Sequence, residues 1–163
     1  MRSGVEAHLG SRQVPRVIYG AIIGIALICA LEAHPPSAGA VVASLLGTAV
    51  AVALAEIFSE IVGAETRRRR RVQSEERREI VADSTAVAFG ISFPVIFFVL
   101  SAAGLMDIDT AFDVAKWSGV GLTGFYGFSA ARLAGEGWGA ALLRATAVAL
   151  VGTFVIALKA LVH

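Results

Sequence analysis

Thiols, imidazoles and thioethers are scarce in this 163-residue chain, which has one cysteine, three histidines and two methionines. A single cysteine, Cys29, excludes an internal disulfide. None of His8, His34 and His163 stands at metal-ligand spacing from another histidine or from Cys29. Charge is scarce as well: 17% of residues are charged, where soluble domains carry about a quarter. No Gly-rich phosphate loop, nucleophile elbow, HExxH or CxxC occurs, so no recognised enzyme signature is present. The expectation is a protein that is not an enzyme and carries no bound cofactor.

Apolar residues dominate instead. They make up 56% of the chain, and its mean hydropathy is +0.74. The charges sit in blocks between apolar runs, which is the pattern of a multi-pass membrane protein in one domain. Run lengths predict an all-α polytopic bundle of five transmembrane helices, at about 17–33, 38–62, 80–105, 112–133 and 138–162, after a polar segment over 1–16. Between Val17 and Leu31 there is no charge, so the first run is short for a hydrocarbon core of about 30 Å. A signal peptide is the competing reading, but Leu31-Glu32-Ala33 makes a poor cleavage region. A short span is expected, with Arg16 and Glu32 reaching for water at its two ends.

Small residues suggest how the helices meet. Gly20 and Gly24 form a GxxxG pair in the first run. Pro94 lies in the middle of the third run and removes the hydrogen bond to the Gly90 carbonyl, and with no side chain at Gly90 to obstruct the bend a kink is expected there. Asp109 or Thr110 would cap the fourth helix. Gly121, Gly124 and Gly127 recur every third residue along it as a smooth stripe for tight packing. Arg144 and Lys159 would snorkel from the fifth helix toward opposite surfaces.

Five crossings place Arg2, Arg12, Arg16, Arg67 to Arg71, Arg77, Arg78, Arg132 and Arg144 on one side of the bilayer. Only Lys116 and Lys159 fall on the other. Twelve basic residues against two predict a cytoplasmic amino terminus and an outside carboxyl terminus in a cell membrane. The run Arg67, Arg68, Arg69, Arg70 and Arg71 is expected to meet anionic lipid headgroups. Membrane helices flank it and Glu65, Glu75, Glu76 and Glu79 dilute it, which argues against nucleic acid.

Glu56 and Glu60 stand one turn apart at the end of the second run, and Asp83 opens the third. One reading pairs these acids with neighbouring arginines at headgroup level. The sharper one makes Glu56, Glu60 and Asp83 a metal-cation site, with Tyr126 and Ser129 lining the path, because oxygen-only ligands suit hard cations and also accept Fe(II) or Mn(II).

The segment AEIFSEIVGAE resembles the part of vacuolar iron transporter proteins where an apolar run ends in a Gly-Glu-Tyr motif and further acids. The ending GFSAARLAGEGWGAALLRATAVALVGTFVIALKAL is similar to that family's last two helices. The first helix lacks the family's intramembrane Asp, having only Glu32 at its far end. A short arginine turn replaces the family's Glu-rich helices, and Met1 and Met106 are the only methionines. The resemblance implies a homodimer with a path between protomers and carries over Glu56 and Glu60 alone. In style the chain is also similar to uncharacterised small bacterial membrane proteins with an acid-bearing second helix. Two functions are therefore expected in competition: a small divalent cation (Fe/Mn) transporter, or a non-catalytic accessory or assembly subunit packing through Gly-rich helix faces.

Overall fold

A computed structural model describes residues 13–162; Arg2, Arg12 and most of the expected 1–16 segment lie outside the described residues. The described chain is all-helical, with no strand. Its helices are α1 (Gln13–Glu32), α2 (Ala38–Arg68), α3 (Ser74–Ser92), α4 (Val95–Ala102), α5 (Ile108–Leu133) and α6 (Trp138–Val162). Three of them, α1, α2 and α6, are long and apolar enough to cross a membrane, and the α3–α4 pair makes a fourth if it is one broken span. At 26 residues, or about 39 Å, α5 has the length. Its glycines, its hydroxyls, Asp109 in the first turn and Asp113 and Lys116 beyond it make it less apolar than α1, α2 and α6.

The third expected run is thus two helices, bent by 45°. Phe93 still donates its N–H to the Phe89 carbonyl at 2.9 Å, and the break falls at Pro94, which begins the next turn. Gly90 does something other than ease the bend. It sits where α3 lies against α1, and a Cβ there would overlap the Val17 carbonyl oxygen. Gly20 is its counterpart, with the Val87 carbonyl in the same position, and a Cβ on Gly24 would stand 3.1 Å from the Ile91 oxygen. The GxxxG pair is therefore the close-packing face of α1. Such backbone approach replaces the hydrophobic drive that helices lose in lipid.

This contact makes α1 the central helix, packed by α3, α5 and α6 and touched by α2. Near its end, Ile28 joins Val41, Leu45, Phe98 and Phe112 in the largest buried cluster. Phe98 and Phe112 meet edge to face at 5.0 Å. By contrast only 17% of the apolar window of α2 and 11% of that of α6 is buried. Leu46, Val50, Leu54, Phe58 and Val62 all point outward from α2. Large apolar faces turned outward belong to helices solvated by lipid.

Two expectations are corrected. Asp107, not Asp109 or Thr110, caps α5: its carboxylate accepts from the Thr110 N–H at 2.9 Å and the Thr110 hydroxyl at 2.8 Å. Helix α5 begins one residue after that acid, so Thr110 stands at the third position, where cap and partner meet. The glycine stripe on α5 also divides. Gly124 and Gly127 face α6, while nothing lies within 4 Å of a Cβ on Gly121. Steps of three residues fall about 60° short of a full turn, so such a row drifts around the helix instead of holding one face.

Candidate functional site

Helix α2 continues past its apolar part to Arg68, so Glu56 and Glu60 lie in its third quarter rather than at its end. Both face α1. One nitrogen of the Arg16 guanidinium stands 3.1 Å from Glu56 Oε2, and the other 2.8 Å from Glu60 Oε1. Arg16 was expected to reach for water; it turns inward and forks across the two acids. The i, i+4 spacing makes this possible, because it puts both carboxylates on one face within reach of a planar donor. The acids are thus ion-paired, but by an arginine distant in sequence and not by the adjacent arginine run.

Below this fork lies an open cleft of about 440 Å³, lined by Arg16, Glu60, Arg67, Glu76, Glu79 and Asp83 among others. Asp83 therefore shares a cleft with Arg16 and Glu60. Tyr126 and Ser129 do not line it. Tyr126 is buried on another side of α1, among Val14, Val17 and Ala86. Among the described residues no group of three His, Cys, Asp or Glu side chains is placed to hold a metal ion.

The arginine turn borders the cleft. Arg69 adopts a left-handed conformation (φ 51°) and ends α2. Glu76, in the first turn of α3 and ahead of its apolar part, accepts from Arg68, from Arg70 at 2.7 Å and from the Gln73 N–H at 3.1 Å. The Arg70 hydrogen bond, then that of Gln73, pulls the Glu76 carboxyl down to about 2. Glu65 accepts the Val72 N–H at 3.2 Å. Two of the five arginines are thus engaged by one glutamate.

A second charge cluster stands at the far end of the bundle. Lys116 of α5 donates to Glu32 Oε1 at 2.6 Å, and Lys159 of α6 to Glu32 Oε2 at 3.0 Å. Lys116 also meets Asp113 at 3.0 Å. Glu32 and Lys159 were expected to seek water; they seek each other. Arg144 likewise pairs with Glu136 at 2.7 Å. Residue-by-residue reading missed the Glu32 cluster because its members lie 84 and 127 positions apart. The signal was available in the topology, since five alternating helices put Glu32, Lys116 and Lys159 at one end.

Family models, characterised proteins and solved structures were all compared with this chain, and none matches it.

Proposed function

We propose that the chain is a five-crossing membrane protein, with α3–α4 counting as one span and α5 as another, and that it transports a small divalent cation through the Arg16 cleft. The cytoplasmic side is the arginine-rich end. Support comes from the way Arg16, Arg67 and Arg68 line one cleft while Lys116 and Lys159 meet at Glu32, as the charge imbalance requires.

One observation carries the transport reading: Glu56 and Glu60 hold a single guanidinium delivered by another helix, and Asp83 lines the same cleft. Arg16 occupies the place of a cation between two carboxylates, and an arriving divalent ion would replace it. Ionisable groups within spans are costly and mark ion pathways by default. The likeness to vacuolar iron transporters makes Fe(II) and Mn(II) the ions to test and a homodimer the assembly. Arg67, Arg69 and Arg71 remain for anionic headgroups. In liposomes, the wild type should take up Fe(II) or Mn(II), Glu56→Gln should abolish uptake, and Glu60→Gln should weaken it less. A wild-type rate equal to empty vesicles for Fe(II), Mn(II) and protons overturns the reading.

A second reading, a non-catalytic accessory or assembly subunit, is favoured by the Glu32 cluster. There the same chemistry only ties helices together, with two lysines satisfying one carboxylate. In that case the Arg16 fork is a second tie, and no variant moves ions.

A further inference from the structure

The first turns of α3 sort their charges by face. Glu76, Glu79 and Asp83 turn to the Arg16 cleft. Ser74, Arg77 and Arg78 turn the other way and, with Val81 and Ala82, line a separate depression of about 440 Å³. Arg77 and Arg78 are exposed, and neither makes an ion pair among the described residues. Ala82 is also a wall of the next cavity along the helix, about 250 Å³, where Val17 of α1 and Tyr126 of α5 face Ala86 and Phe89 of α3. The two hollows share one wall, Ala82, and adjoin there as a groove along α3. It begins at the Arg77 and Arg78 guanidinium groups and the Ser74 hydroxyl and continues over alanines to aromatic rings.

From Arg78 to Phe89 the groove runs 11 residues along α3, about 17 Å. One leaflet of hydrocarbon is about 15 Å deep. The dimensions and the change from basic to apolar match a single lipid. We propose that this groove binds one anionic phospholipid, its phosphate held by Arg77, Arg78 and the Ser74 hydroxyl and one acyl chain lying over Ala82 and Ala86 toward Phe89. Planar guanidinium forks suit a phosphate's oxygens. In the arginine run at 67–71, the obvious lipid contact in sequence, Arg67 and Arg68 line the acid-bearing Arg16 cleft, and Arg68 and Arg70 are bound to Glu76. This site stands apart from cation transport and survives its failure.

The test follows thermal stability of detergent-purified protein while phosphatidylglycerol, phosphatidylcholine of the same chains, or inorganic phosphate is added. Phosphatidylglycerol should stabilise the wild type at lower concentration than phosphatidylcholine, and inorganic phosphate should not stabilise it. A basic residue at headgroup level contributes a factor of about five, so Arg77→Gln with Arg78→Gln should weaken the phosphatidylglycerol response about 25-fold. Thr85→Phe, at an exposed wall of the lower cavity, should weaken the response to both lipids. Arg67→Gln with Arg69→Gln and Arg71→Gln should weaken the phosphatidylglycerol response less than loss of Arg77 and Arg78 does. Equal responses to the two lipids, a preference that survives loss of Arg77 and Arg78, or an equal shift with inorganic phosphate each overturns the proposal.

Discussion

A Cβ on Gly20 would overlap the Val87 carbonyl oxygen, whereas one on Gly47 would meet nothing within 4 Å. The obstacle at Gly20 is backbone on a packed helix, which moves only if α1 and α3 separate. Gly20→Ala should therefore destabilise the protein by about 1–3 kcal/mol, the usual range for overpacking. Gly47→Ala should be neutral or gain up to about 1 kcal/mol, because alanine suits a helix interior better. Unfolding titrations in mixed micelles would compare the two, and equal effects would show that α1 and α3 do not meet as described. Both glycines look alike in sequence. GxxxG pointed to Gly20 and Gly24, yet Gly90, which completes the contact, was read as easing a kink. A glycine's role depends on which backbone lies opposite it.

Single elements are tied at their ends by charge. Glu32 ends α1 and joins α5 and α6 through Lys116 and Lys159, and both lysines are largely shielded. Glu32→Gln removes the charge that offsets two ammonium groups, and it should cost on the order of 2 kcal/mol. Glu60→Gln should cost less than about 1 kcal/mol, because Glu60 is 38% exposed and Arg16 keeps Glu56. Chemical denaturation of the two variants would rank them, and a larger loss for Glu60→Gln would contradict the structure. The turn between α2 and α3 behaves differently because protons control it. Glu76 ordinarily titrates near 4.5 but is held at about 2 in the folded turn. Its stabilisation is complete above pH 4.5 and is lost as pH falls through about 2. The Gln73 amide, which Glu76 accepts at 3.1 Å, should lose its hydrogen-exchange protection across that window, after correction for intrinsic rates. Glu76→Gln should lack the protection already at pH 6. Unchanged protection at pH 2 would mean that Glu76 does not hold the turn.

For the whole molecule the decisive question is how often the chain crosses. Cysteines placed at Ser37 and Ser74 in a Cys29→Ser background should label from opposite faces of intact cells or oriented vesicles, Ser74 from the cytoplasm. Labelling of both from one side would rule out an odd number of spans between them. The sequence by itself determined the helical, membrane-type architecture, the approximate limits of α1, α2, α5 and α6, and the break at Pro94. Each follows from local causes: run length against bilayer thickness, a missing N–H, and blocks of charge that mark the turns. Only the tertiary structure decided the pairings. Glu56 and Glu60 were identified as acids on one face, but their partner is Arg16, 40 and 44 positions away. Tyr126 was set beside them and lies instead among Val14, Val17 and Ala86. Pattern along one helix fixes which residues share a face. Which neighbour that face meets depends on the order in which α3, α5 and α6 pack around α1, and that order is set by backbone approach at glycines such as Gly20 and Gly90, which no local period encodes.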